Sequence, residues 1–132
     1  MDATACRRRA VRIAIVDDTP VFRKSLRSAL ERQPGLEVVA EAEDGRRAIE
    51  VAECARPDVI LMDLSMPVLN GIDATRVITA SHPDIRVIIL SMHASENVSD
   101  EAAAAGACRC LAKERTLTDI LRSIRECRAQ CP

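Results

Sequence analysis

The sequence predicts an α/β domain, a doubly wound parallel sheet of five strands with five helices, and three observations carry that prediction. Short apolar runs alternate five times with longer amphipathic segments, the pattern of successive strand–helix units. The runs at 58–62 and 85–90 are almost continuously apolar, as parallel strands covered on both faces must be. Pro34-Gly35, Pro57, Pro83 and Gly106 punctuate the segment ends and leave no long loop. Right-handed crossovers between such units put helices on both faces of one sheet.

Residues 11–16 read as the first strand. Thr19-Pro20 then supplies an N-cap and a first helical residue, and Val21, Phe22, Ser25, Leu26, Ala29 and Leu30 share one helical face until Pro34-Gly35 stops it. Residues 36–40 form the second strand. Asp44 caps a second helix that turns Ala48, Ile49 and Ala52 inward and ends before Pro57. Residues 58–62 form the third strand, which runs into Asp63. A third helix spans 71–80, and 85–90 is the fourth strand. Ser95 caps a fourth helix that ends at Gly106, a residue suited to the left-handed C′ position. Residues 107–112 form a weaker fifth strand. Leu117, Ile120, Leu121, Ile124 and Cys127 recur with the helical period in the last helix.

Composition narrows the function classes. The chain has 132 residues, 48% of them hydrophobic and 30% charged, which suits one globular domain. No apolar run approaches the roughly 20 residues that span a bilayer, and MDATACRRRA lacks the apolar core of a signal peptide, so a cytoplasmic location is expected. Nineteen basic residues nearly balance twenty acidic ones, so net charge gives no support to nucleic-acid binding by this segment. Arg7-Arg8-Arg9 reads as a solvated tail. Phe22 is the single aromatic, which leaves little for stacking on bases or flavins. The six cysteines contain no Cys-x-x-Cys pair, so a zinc site is disfavoured, and in a reducing compartment they read mostly as small buried hydrophobes.

The chemistry lies in the polar residues at the strand tips. Strand one ends in Asp17-Asp18, strand three in Asp63, strand four in Ser91 and strand five in Lys113. In an open parallel sheet the carboxyl ends of the strands form the ligand crevice, so these groups converge there. Singly, each reads as a helix cap or a loop residue; four strands delivering them to one edge do not. Three clustered carboxylates need compensation, because like charges raise one another's pKa. Lys113 supplies one positive charge, and an all-oxygen site with few protein ligands suits Mg²⁺. A cation, an ammonium, a hydroxyl and a nucleophilic carboxylate together make a phosphoryl-handling arrangement.

These residues resemble a known family, the receiver domain of bacterial two-component response regulators. IVDD at 15–18 resembles its acidic pair, DLSMPVLNG at 63–71 its phosphoacceptor loop, LSMH at 90–93 the segment bearing its switch hydroxyl, and LAKE at 111–114 the one bearing its lysine. The resemblance covers residues 11 to about 127. It implies the flavodoxin-like strand order 2-1-3-4-5, an N-terminal tail over 1–10, a receiver over 11–128, and a C-terminal end or linker start over 129–132. It implies that Asp63 accepts a phosphoryl group from the phosphohistidine of a sensor histidine kinase. Asp17, Asp18, Asp63 and the backbone carbonyl of Ser65 would hold Mg²⁺, Lys113 would pair with phosphoryl oxygens, and Ser91 would report the phosphoryl group. The protein would be a signalling switch rather than an enzyme, with its own phosphorylation and slow dephosphorylation as its only reactions. In the family that this sequence resembles, the places held here by Ser65 and His93 influence that dephosphorylation rate.

DDTPVFRKSLRSALE, LNGIDATR and LSMH further resemble the subgroup with LuxR-type helix-turn-helix outputs. The expected function is therefore control of transcription through a DNA-binding domain outside this chain, with homodimerisation on phosphorylation; the alternative is a stand-alone receiver acting through protein–protein contacts or a phosphorelay. Arg23, Lys24 and Arg27 on the first helix are expected to offer a basic kinase-docking face. Two positions depart from the family pattern. Cys110 stands where Tyr or Phe is usual, and Glu114 stands where many relatives have a cis proline, which leaves the Lys113–Glu114 isomer open. Two rival readings fail on single features. A haloacid-dehalogenase-like phosphatase needs Asp-x-Asp, and position 65 is Ser. A nucleotide- or flavin-binding module needs a glycine-rich first turn, and this one is Asp17-Asp18-Thr19-Pro20.

Overall fold

The computed structural model describes residues 10–92, 96–114 and 117–129. Five strands, β1 (Val11–Val16), β2 (Leu36–Ala42), β3 (Val59–Asp63), β4 (Arg86–Ser91) and β5 (Arg109–Ala112), pair in parallel in the order β2-β1-β3-β4-β5. Five helices alternate with them: α1 (Pro20–Glu31), α2 (Gly45–Ala55), α3 (Gly71–Ser81), α4 (Glu96–Ala105) and α5 (Leu117–Ala129). None is long and apolar enough to cross a membrane. Strand alternation splits the core into two layers. Ile60, Met62, Val87 and Ile89 pack toward α2, α3 and α4. Val59, Leu61, Ile88 and Leu90 pack with Leu26 and Leu30 of α1 and Ile120 and Ile124 of α5. Burial on both faces explains why β3 and β4 lack alternation in the sequence.

Local chemistry sets the element ends. Asp44 accepts a hydrogen bond from Arg47 N at 2.8 Å and caps α2, and Asn70 does the same for α3 from Asp73 N at 2.9 Å. Thr19 stands at the N-cap of α1 without a side-chain cap bond. Gly106, after α4, has φ +104°, as expected of a C′ glycine. β2 runs two residues further than the sequence suggests, to Ala42, with a register shift between Ile13 and Ala14 of β1.

Three expectations need correction. Val21 and Ser25, placed on the inner face of α1, are exposed, Val21 to 78%, so the buried stripe of that helix narrows to Leu26 and Leu30 with Phe22 partly covered. Arg23 and Arg27, read as a free basic face, are engaged by Glu41 of β2, and Arg27 also by Glu31. Cys108 and Cys127, read as separate small hydrophobes, form a disulfide with a Cα–Cα distance of 6.3 Å. Cys108 precedes β5 and joins the layer of α1 and α5, where Cys127 is buried, whereas Cys110 within the strand faces the other layer. Arg7-Arg8-Arg9, His93 and Ser95 lie outside the described residues.

Candidate metal and phosphoryl site

The strand order reverses between β1 and β3, and the crevice at such a switch point opens at the strands' carboxyl ends. Asp17 comes after β1, two residues beyond buried Ile15. Asp63 ends β3, two beyond buried Leu61. Lys113 comes after β5, two beyond Leu111. The period of two thus sends all three toward the layer shared by α1 and α5. Carboxylate oxygens of Asp17, Asp18 and Asp63 lie within 4.8 Å of one another; Asp17 and Asp63 are buried and Asp18 is exposed. Lys113 Nζ lies 2.7 Å from Asp17 Oδ2 and 3.5 Å from Asp63 Oδ2. Its backbone N–H donates to Ser91 O at 2.8 Å, which fastens the lysine to the end of β4.

Phe22, which the sequence offered only as a core residue of α1, sits beneath this lysine. Nζ lies 4.5 Å from the ring centroid, a cation–π contact that holds the ammonium over the carboxylates. The available signal was its position: the single aromatic of the chain, five residues after Asp17, on the inner face of the first helix.

The loop after Asp63 is shaped by its neighbours. Leu69 N donates to Pro67 O at 2.7 Å, closing a three-residue turn centred on Val68, whose φ is +69°. Gly71 N donates to Leu64 O at 2.8 Å, and a Cβ on Gly71 would stand 2.2 Å from Asp63 O. Only glycine lets α3 begin against the backbone of Asp63. Ser65 is exposed in this loop. Ser91 ends β4 and is 2% exposed; by strand alternation it points with Ile89 toward the opposite layer from Asp63 and Lys113.

Crowding sets the electrostatics. Burial pushes the Asp63 carboxyl up to about 6, reinforced by the charge of Asp17 and by the hydrogen bond and charge of Asp18, with Lys113 opposing. For Lys113, burial acts downward, but the neighbouring carboxylates of Asp17 and Asp63 outweigh it and hold the ammonium above its ordinary value. Burial raises the Cys110 thiol, partly offset by a hydrogen bond with Ser99, so this position presents a neutral thiol. No cis peptide occurs among the described residues, so the Lys113–Glu114 bond is trans.

The residues fit a hard divalent cation. Three carboxylates face one ammonium, and buried Asp17 Oδ2, although close to Nζ, has no aligned hydrogen-bond donor. All the donors are oxygens, and exposed Asp18 leaves a side open to water, as Mg²⁺ prefers. A concavity of about 730 Å³, lined by Arg23, Glu41, Arg47, Glu50 and Cys54 among others, lies along the edge strand β2. Charges in it pair off, Arg23 with Glu41 and Arg47 with Glu50, whereas carboxylates outnumber the ammonium at the strand tips.

Residues 13–125 match the response regulator receiver domain family. The chain is 38% identical over 115 residues to the transcriptional regulatory protein DegU of Brevibacillus brevis, covering 87% of this chain and 49% of DegU. It spans about half the length of the curated relatives DegU and LnrK that it matches. Among solved structures, a LuxR-family two-component response regulator from Aurantimonas superposes with a TM-score of 0.87 at 35% identity, covering 91% of this chain and 86% of that one. The response regulator domain of Thermotoga maritima CheB superposes with a TM-score of 0.85 at 34% identity, covering 94% of this chain and all of that one.

Proposed function

Because this chain belongs to the receiver domain family of response regulators, we propose that Asp63 is its phosphoacceptor, and that the chain works as a phosphorylation-controlled switch served by a sensor histidine kinase. The supporting observation is the convergence of Asp17, Asp18 and Asp63 with Lys113 at the tips of β1, β3 and β5.

A carboxylate oxygen of Asp63 attacks the phosphorus of a phosphohistidine or a small acyl phosphate. The new P–O bond forms as the P–N or P–O bond to the donor breaks, and the imidazole or carboxylate leaves with the electron pair. Asp63 must be ionised to attack, and with a pKa of about 6 it is mostly so at neutral pH. Lys113 moves from neutralising two carboxylates to pairing with the incoming phosphoryl oxygens. Ser91 ends the adjacent strand β4 with its side chain directed to the other layer, so its hydroxyl would have to turn toward the crevice to meet the same group. Asp17, Asp18, Asp63 and the Ser65 carbonyl would hold Mg²⁺, which when bound neutralises phosphoryl charge.

We assign the receiver unit to 11–128, with 1–10 an N-terminal tail and 129–132 a C-terminal end or the start of a linker. The similarity to DegU and to a LuxR-family regulator favours control of transcription through a DNA-binding domain outside this chain, with phosphorylation-linked homodimerisation, over a stand-alone role. The test is incubation with Mg²⁺ and acetyl phosphate, read by intact mass. A phosphoryl adduct on the wild type that is absent from Asp63→Ala is expected; no adduct on the wild type overturns the assignment.

A further inference from the structure

Arg23 is tied to the site by a contact that the phosphoryl chemistry does not use. Its Nη1 donates to the backbone carbonyl of Asp17 at 2.6 Å, while its Nε donates to Glu41 Oε1 at 2.9 Å. Glu41 lies on β2 and also pairs with Arg27. The Asp17 backbone is thus gripped from both sides, since its own N–H donates to Ala42 O at 3.0 Å. The Asp17 side chain is fixed as well, with Oδ1 accepting from Thr19 N at 2.7 Å and Oδ2 against Lys113. Asp18, the exposed member of the cluster, is joined directly to the clamped carbonyl.

We propose that Arg23, braced by Glu41, is a positioning residue that sets the divalent-cation affinity of the acidic cluster by fixing the peptide that joins Asp17 to Asp18. This rests on the reading of that cluster as the metal site. A planar guanidinium suits the role, because its fixed fork reaches a carboxylate and a carbonyl at once. The sign of the effect separates positioning from charge. Arg23 is a cation close to a cation site, so through charge alone its removal would tighten metal binding. Through positioning, its removal loosens binding, as when a group that orients metal ligands is lost.

Titration calorimetry of MgCl₂ into the metal-free protein, well below each variant's melting temperature, tests this. Arg23→Ala is expected to weaken Mg²⁺ binding about tenfold, and Arg23→Lys, which can reach only one of the two acceptors, by less. Arg27→Ala removes an equal charge from the same Glu41 without touching the Asp17 carbonyl, and is expected to stay within about twofold of wild type. Should Arg23→Ala fail to fold, Arg23→Met, which keeps the stem and loses both the charge and the donors, carries the same expectation of weakened binding. Unchanged or tighter binding in Arg23→Ala, or equal weakening in Arg27→Ala, overturns the clamp. Asp18→Ala separates the two failures: if it weakens binding while Arg23→Ala does not, the clamp alone is wrong, and if it leaves binding unchanged, the metal-site reading falls with it.

Discussion

Lys113 sits closer to Asp17 than to Asp63, with Nζ at 2.7 Å from Oδ2 of the first and 3.5 Å from Oδ2 of the second. The single ammonium in this cluster is thus spent chiefly on the carboxylate that is not the proposed nucleophile. Asp63 is left under-compensated among like charges, in a buried position, and its pKa rises to about 6.

Removing the ammonium should expose that imbalance. Lys113→Ala is expected to destabilise the metal-free protein by about 2–3 kcal/mol at neutral pH, because buried Asp17 loses its counter-charge. Mg²⁺ should recover part of the loss by binding the folded state. Urea denaturation with EDTA and with MgCl₂ measures both.

Asp63→Asn should act in the opposite direction. The folded-state pKa of about 6 lies above the ordinary 3.8, so the folded protein holds this proton where the unfolded chain releases it. The group's contribution to stability therefore falls as pH rises from about 4 through about 6 and is level above that. Asp63→Asn is expected to remove this slope and to stabilise the metal-free protein at pH 7 by on the order of 2 kcal/mol. Urea melts of both proteins in EDTA across that pH range check it.

The loop after Asp63 carries local strain. Val68 is β-branched, 74% exposed and held at φ +69°, so its side chain gains little from the conformation it is forced into. Val68→Gly should raise stability by about 0.5–1 kcal/mol, measured as a shift in denaturation midpoint at constant slope.

The Cys108–Cys127 disulfide closes a loop with a sequence separation of 19. Dithiothreitol should therefore lower the stability of the oxidised protein by about 3 kcal/mol, and Cys108→Ser should show the same loss without reductant. Among the described cysteines, iodoacetamide should label exposed Cys54 well before Cys110, whose thiol is partly buried and raised in pKa.

The row of Asp17, Asp63 and Lys113 was legible in the sequence because each stands at the end of an apolar strand run, and in an open parallel sheet those ends meet at one edge. The strand order came through family resemblance and is the one observed. Phe22 beneath Lys113 was not legible, because the rotation of α1 relative to β5 depends on packing across the sheet. Arg23 and Arg27 read as a free basic face for the same reason: nothing local to α1 tells of Glu41 on β2. The pairing of Cys108 with Cys127 likewise depends on how the start of β5 meets α5.

The most direct measurement places the phosphoryl group on one residue. After treatment with Mg²⁺ and acetyl phosphate, borohydride reduction converts an aspartyl phosphate to homoserine, which peptide mass spectrometry locates. Homoserine is expected at position 63 alone. Homoserine at 17 or 18, or at no aspartate in a protein that binds Mg²⁺, would contradict the assignment of Asp63 as phosphoacceptor.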